Sequence, residues 1–406
     1  MIALEEARER VLAGLEPLAP VVAPLAEAVG CVVAEAVVAR EAVPPFDNSS
    51  MDGYALLSVD TTEAPARLRL VGSVFAGESG AMEVGPGEAI RIMTGAPVPP
   101  GADAVCRQED TAREGDVVVI TRPVAPGESI RRAGEDVAVG DALLAPGEVL
   151  SPAHRGVLAG QGLEGVTVHP RPRVGVLSTG DELSDEAVLA PGTIRDTNRP
   201  TLLSSLAASG FVGVDLGRAG DDPPAIEVAL ARGLATCDAV VTTGGVSVGD
   251  ADFVKAVVAG LCPGRSWSMQ VAIKPGKPFT YGRTPAGQPV FALAGNPVST
   301  LVGFELFVRP ALLALAGHHD LERPTTLAIC DVPLARRPDG RTHLVHVEVA
   351  FDPEGRLHVV ATTRQGSHLL HAVAAANALA RLEDGEGAAA GDAVAVMVLG
   401  PLATRR

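Results

Sequence analysis

From residue 171 to residue 317 the sequence alternates short apolar runs with helical patterns, and each run ends in a glycine-bearing turn. The run at 174–178 is continuously apolar, as in a strand buried on both faces. Further strands are expected near 212–216, at 239–243 and at 290–294, with helices over about 200–209, 224–234, 252–259 and 298–315. Such alternation folds as a doubly wound, mainly parallel α/β domain with helices on both faces of the sheet. In that architecture a ligand binds in the crevice outside the carboxyl ends of the strands.

The turns on that rim are Thr179-Gly180-Asp181-Glu182, Gly217-Arg218-Ala219-Gly220-Asp221-Asp222, the stretch from Gly244 to Asp252, and Gly295-Asn296-Pro297-Val298-Ser299-Thr300, which opens a helix. Glycine lets backbone N–H groups approach a ligand, and a helix N-terminus favours an anion. One such turn is an ordinary connection; four on one rim, three of them acidic, point to a site. Unpaired, the carboxylates of Asp181, Glu182, Asp221, Asp222, Asp250 and Asp252 would repel one another. Some serve as helix caps or solvated loop acids. For the others a hard divalent cation such as Mg2+ relieves the repulsion, because it takes one or two carboxylates together with waters and phosphate oxygens. Lysine occurs only at Lys255, Lys274 and Lys277, and two of the three fall within Lys274-Pro275-Gly276-Lys277, between two of these strands. An ammonium is a point charge where guanidinium is a planar fork. Carboxylates and ammonium groups on one rim fit a metal–phosphate substrate.

The flanking sequence follows different patterns. Helical spacing is read over 3–18 and 22–39, then Pro44-Pro45 and a polar loop, and again helix over 152–159. Between 67 and 144, β-rich runs at 68–74, 89–92 and 117–120 are separated by Gly/Pro turns, the signature of a small β unit. Beyond 317, strands are expected at 326–332, 342–349, 357–362 and 393–399, with a helix over 368–379. The expected domains are an elongated N-terminal helical region (1–50 plus 140–170), an inserted small β domain (51–139), the α/β domain (171–317) and a C-terminal β-barrel-like domain (318–406).

Several functions are disfavoured. A net charge of −16 opposes sequence-independent nucleic-acid binding. The five cysteines include no CxxC pair, and His343/His346 and His368/His371, each spaced HxxH, lack a third ligand at metal-site spacing. Buried thiols in a reducing cytoplasm are expected. No stretch of about 18 residues is apolar without a charge or a proline, and the first residues mix acids with arginines, so neither a membrane span nor a signal peptide is expected. There is no GxxxxGK[ST] loop, no HExxH and no GxGxxG after the first α/β strand, which removes P-loop, zinc-protease and dinucleotide readings.

Seven segments, taken in order, carry a family resemblance: Pro44-Pro45-Phe46-Asp47-Asn48-Ser49-Ser50-Met51-Asp52-Gly53-Tyr54-Ala55, Ile92-Met93-Thr94-Gly95-Ala96-Pro97, Ile130-Arg131-Arg132-Ala133-Gly134-Glu135-Asp136, Ser178-Thr179-Gly180-Asp181-Glu182-Leu183, Gly244-Gly245-Val246-Ser247-Val248-Gly249-Asp250, Lys274-Pro275-Gly276-Lys277-Pro278 and Gly295-Asn296-Pro297-Val298-Ser299. Together they resemble the molybdopterin molybdenumtransferase family, which includes MoeA and the gephyrin E-domain.

The resemblance implies that adenylylated molybdopterin and molybdate enter, AMP leaves with the help of a divalent metal, and molybdenum is placed on the dithiolene sulfurs. It also implies a homodimer whose cleft joins the β insertion of one subunit to the α/β and C-terminal domains of the other, and handover of the product to molybdoenzymes. On this reading Glu182, Asp221 and Asp252 hold the metal and position substrate. Thr179, Gly180, Asp181, Gly244, Gly245, Ser247, Gly249 and Asp250 hold the pterin or its phosphate. Lys274, Lys277, Pro278, Asn296 and Ser299 meet the phosphates or the oxyanion, with charge-assisted bonds from the two lysines. Asp52, Thr94, Arg131 and Asp136 reach across from the partner, and Arg341 and Ser367 bind molybdate. His368 stands where the family has a smaller residue. Two other readings compete: a non-catalytic molybdopterin-binding scaffold, and a molybdopterin adenylyltransferase.

Overall fold

The computed structural model describes residues 1–79, 81–245, 253–361 and 365–404. The chain divides into two compact units, one made of Met1–Val22, Gly30–Ala34 and Thr167–Arg406, the other of Ala23–Val29 and Glu35–Val166.

The first unit is built on a six-stranded sheet. Its strands in chain order are β1 (Arg173–Thr179), β2 (Val212–Ala219), β3 (Ala239–Thr243), β4 (Ser266–Gln270), β5 (Pro278–Arg283) and β6 (Pro289–Leu293). They lie in the order β2-β1-β3-β6-β5-β4. The first four of that order are parallel, with Val174 opposite both Gly213 and Ala239, and Val240 opposite Val290. The helices α1 (Asn198–Ala208), α2 (Pro223–Leu234) and α3 (Phe253–Leu261) connect them. β5 and β4 extend the sheet antiparallel and were not expected. Aromatic pairing secures this edge: Trp267 stacks on Tyr281 with centroids 5.8 Å apart, and Tyr281 meets Phe291 at 5.4 Å. β2 runs on to Ala219, so the turn expected from Gly217 begins only at Gly220.

After β6 a continuous helix runs from Pro297 to Leu315, long and apolar enough by length and composition to cross a membrane, but 78% of its apolar window is buried inside the protein. It is the central core helix, and Phe307 stacks on Phe279 of β5 with centroids 4.3 Å apart. The helix widens to a π turn at Phe304–Val308, just before Pro310. Proline has no N–H to return to the carbonyl four residues earlier, so the ladder loosens there. The N-terminal helix, Leu4–Leu12, buries Leu4, Ala7 and Val11 in the same core. It stops short of the expected residue 18 because Gly14, at a φ of +66°, turns the chain.

The C-terminal segment closes a five-stranded barrel. Its strands Thr325–Cys330, Leu357–Ala361, Thr342–Phe351, Ala378–Leu382 and Ala393–Val398 pair in that order and return to the first. The helix expected over 368–379 is cut to Leu370–Ala374, and its last two residues open the barrel strand Ala378–Leu382.

The second unit carries a six-stranded sheet in the order Ala104–Arg107, Gly53–Leu56, Glu88–Ile92, Ala66–Val74, Val117–Ile120, Thr111–Glu114. Helix Pro152–Gly160 starts at a capping box in which Ser151 and His154 bond reciprocally. The long helix expected over 22–39 is a single turn, Leu25–Ala28, followed by the short strands Val32–Val33 and Val37–Val38. Paired β-branched residues and the break at Gly30, with φ +86°, outweigh the helical spacing.

Candidate active site

The carboxyl ends of β1, β3 and β6 are tied together. Thr179 Oγ1 donates to the Thr243 carbonyl at 3.1 Å, and Gly244 N–H donates to Leu293 O at 3.2 Å. Gly244 has a φ of +97°, and a Cβ there would lie 2.4 Å from Thr179 O. Only glycine lets this turn lie against the end of β1. At Gly180 an added Cβ would sit 2.4 Å from the Glu182 carboxylate, which folds back over the strand end.

The next turn is positioned by a side chain. Asp181 Oδ1 accepts the Asp221 N–H at 3.0 Å, so Asp181 shapes the loop that presents Asp221. Asp222 is an ordinary N-cap, accepting from Ala225 N–H at 3.1 Å. At the start of the core helix Ser299 is buried in the first turn, and Val298 N–H donates to Ser367 O at 3.0 Å. That bond joins the helix N-terminus to the loop bearing Ser367.

The facing wall comes from the Lys274–Pro278 segment and the barrel. Ile273–Lys274 runs parallel to the barrel strand, with Lys274 opposite His343. Asp339, in the loop before that strand, accepts from Arg341 Nε at 3.1 Å and also from its Nη2, from Arg336 Nη2 at 3.1 Å, and from His343 Nε2 at 3.1 Å. The Arg341 bonds, with His343 second, hold the Asp339 carboxyl far below the usual carboxylate range. Arg336 is 1% exposed and donates to Arg341 O at 2.6 Å, fixing the backbone that carries the guanidinium. Burial lowers the His343 pKa, and pushes that of the more deeply buried His346 down to about 4.

Between these walls lies a cleft of about 1330 Å³. It is large for a small-molecule pocket, which typically spans roughly 300–1,000 Å³. Of the residues expected at the site, Thr179, Gly180, Glu182, Asp221, Gly244, Gly245, Lys274, Lys277, Pro278, Asn296, Ser299, Arg341 and Ser367 line this one cleft, and so does His368. Asp52, Thr94, Arg131 and Asp136 lie in the second unit. There Asp52 accepts from Thr94 N–H and Oγ1, both at 2.8 Å, and these bonds lower its pKa. Arg131 lies on a short strand opposite Asn48, and Asp136 N–H donates to Val43 O at 3.0 Å. Ser247, Gly249, Asp250 and Asp252 fall outside the described residues.

Sequence reasoning missed several lining groups. Asp196 is held by Ser178 Oγ at 3.0 Å and Arg199 Nε at 2.9 Å. Asn198 donates to Gly295 O at 2.7 Å, and Arg336, Asp339, His343 and His346 come from the barrel. The HxxH spacing of the last two was the one available signal. Among the described residues no three His, Cys, Asp or Glu side chains are grouped so as to hold a metal. Glu182 and Asp221 are hard oxygen donors on one rim, the donor type Mg2+ takes. The third expected donor, Asp252, lies outside the described residues.

The chain matches three family models in succession: the MoeA N-terminal region, domains I and II, over residues 2–162; a probable molybdopterin-binding domain over 175–314; and the MoeA C-terminal region, domain IV, over 332–399. It is 36% identical to the molybdopterin molybdenumtransferase of Haemophilus influenzae, covering 98% of each chain. It is 37% identical to molybdopterin molybdenumtransferase 2 of Mycobacterium tuberculosis, over 88% of this chain and 92% of that one. The crystal structure of a molybdopterin biosynthesis moeA protein from Pyrococcus horikoshii superposes with a TM-score of 0.81 at 32% identity, covering 98% of this chain and all of that one. With the barrel, the wound sheet and the shared cleft in place, the chain belongs to the molybdopterin molybdenumtransferase (MoeA) family.

Proposed function

We propose that this protein transfers molybdenum from molybdate to adenylylated molybdopterin, with release of AMP, to give molybdenum cofactor. One observation carries this reading: a single cleft is lined by Glu182 and Asp221, by Lys274 and Lys277, and by Arg341 with Ser367. A pyrophosphate-bridged ligand carrying an oxyanion acceptor needs that mixture of charges. Lys274 and Lys277 neutralise phosphate oxygens as the anhydride to AMP breaks, and the Gly244–Gly245 turn, free of side chains, lets the pterin end approach the backbone closely. Arg341 and Ser367 orient the molybdate.

Glu182 and Asp221 would hold Mg2+, together with Asp252. The ion, when bound, supplies charge neutralisation to the phosphate oxygens. We further place the enzyme in the cytoplasm as a homodimer, with Asp52, Thr94, Arg131 and Asp136 of one protomer completing the cleft of the other. A reducing compartment suits both the dithiolene substrate and the five buried free cysteines. The product then passes to recipient molybdoenzymes.

The test is AMP release from adenylylated molybdopterin, followed by chromatography and mass spectrometry with and without molybdate and Mg2+. The reading predicts AMP only when both are present. No AMP under any condition supports a binding scaffold, and nucleotide chemistry that ignores molybdate supports an adenylyltransferase.

A further inference from the structure

Placing molybdenum on a dithiol requires proton transfer. When two S–H groups meet molybdate, two Mo–S bonds form, one Mo–O bond breaks, and the released oxide leaves as water with both thiol protons; no oxidation state changes. A neutral base beside the oxyanion speeds this by accepting a sulfur proton and returning it to oxygen. Lysine and arginine, protonated, cannot take it.

His343 can. Its ring lines the cleft and is 12% exposed. Asp339 is ionised, so it only accepts, and the Nε2 contacts of 3.1 and 3.2 Å to its two oxygens require the proton on Nε2. Nδ1 keeps the lone pair. We propose that His343, oriented by Asp339, is the proton-transfer residue of molybdenum insertion, taking a dithiol proton on Nδ1 and giving it to the departing oxide while the second proton passes directly. This rests on the reading of the cleft as a molybdenum-insertion site.

The charges around the ring suit a relay. Arg336 and Asp339 approach from the preceding loop, Arg341 from the start of its own strand, and Lys274 from the paired segment. On the other side Leu382 pairs with His343, and Glu383 accepts from Thr342 Oγ1 at 3.1 Å. Burial first, then Arg336 and Lys274, disfavour the imidazolium, whereas Asp339 favours it. The ring therefore rests neutral near pH 7 and gives up quickly a proton it has taken.

His343→Gln keeps a donor for Asp339 but cannot relay a proton. In single turnovers, AMP would be read by chromatography and bound molybdenum by elemental mass spectrometry from pH 5.5 to 8.5. The expected result is unchanged AMP release and molybdate affinity with insertion slowed about 100-fold, the lower end of general acid–base effects. Wild-type insertion should fall as pH drops through the ring's pKa, and this limb should vanish in the variant. Asp339→Asn, whose amide imposes neither tautomer, should slow insertion less and keep the limb; it is the informative variant if His343→Gln folds poorly. Wild-type insertion rates with the acid limb intact in His343→Gln would overturn the proposal. Absence of molybdate-dependent insertion in the wild type would instead overturn the functional reading beneath it.

Discussion

Gly244→Ala examines the packing that lays the pterin-side turn over β1. Forcing an L-residue to a φ of +97° costs about 1–3 kcal/mol. The new Cβ also meets Thr179 O at 2.4 Å and Thr179 Oγ1 at 2.8 Å. Those atoms belong to a strand end held by the bonds to Thr243 and Ala219, so the alanine must move backbone, which costs about another 1–3 kcal/mol. The sum is about 2–6 kcal/mol, and at roughly 2–4 °C per kcal/mol for a large domain the Tm should fall by on the order of 10 °C. Should the turn move aside instead, the Tm stays higher but the cleft loses its floor. Either route abolishes AMP release. Gly260→Ala is the control: it lies in α3 with no atom within 4 Å of a new Cβ, and should be neutral or slightly stabilising. Calorimetry and the AMP assay on both variants decide. Wild-type melting with wild-type turnover in Gly244→Ala refutes the reasoning.

Phe307→Ala, which empties a fully buried position stacked on Phe279, should cost about 3–5 kcal/mol in urea unfolding. His346 gives the first unit an acid sensitivity of known sign: its pKa is depressed to about 4 in the fold, so the unfolded chain binds the proton first, and stability is lost as pH falls from about 6.5 towards 4. Across that window the loss is about 3 kcal/mol, and His346→Gln should flatten it in urea titrations at pH 7 and 4.5. Mixing Asp52→Ala protomers with Lys277→Ala protomers should restore one intact cleft per mixed dimer and about a quarter of wild-type activity, read by AMP release, if each cleft takes Asp52 from the partner.

The rim of the site was legible because its signals are local. An apolar run ending in glycine marks β1 and β3 within a few residues, and Glu182, Asp221 and the two lysines follow directly in the chain. The antiparallel edge was not, since Ser266–Gln270 and Pro278–Arg283 become strands by pairing across the sheet with each other and with β6. Ala378–Leu382 continues an alanine-rich helical pattern and turns to strand only when the barrel closes on it. Arg336, Asp339, Arg341 and His343 lie within eight residues, yet their network forms in an irregular loop at the start of a strand, which no periodic pattern marks beyond the HxxH spacing of His343 and His346. Asp181 looked like a ligand because it sits beside Glu182, yet its carboxylate is spent on the Asp221 backbone.

The central claim is that carboxylate and ammonium act on one pyrophosphate in one cleft, and a double-mutant cycle on Glu182→Gln and Lys277→Ala, followed by single-turnover AMP release, tests it most directly. Each single change should slow release by on the order of 10²–10³, and the double variant should be slower than either by much less than the product, a coupling of about 1–3 kcal/mol. Wild-type rates in either single variant, or effects that simply multiply, would contradict it.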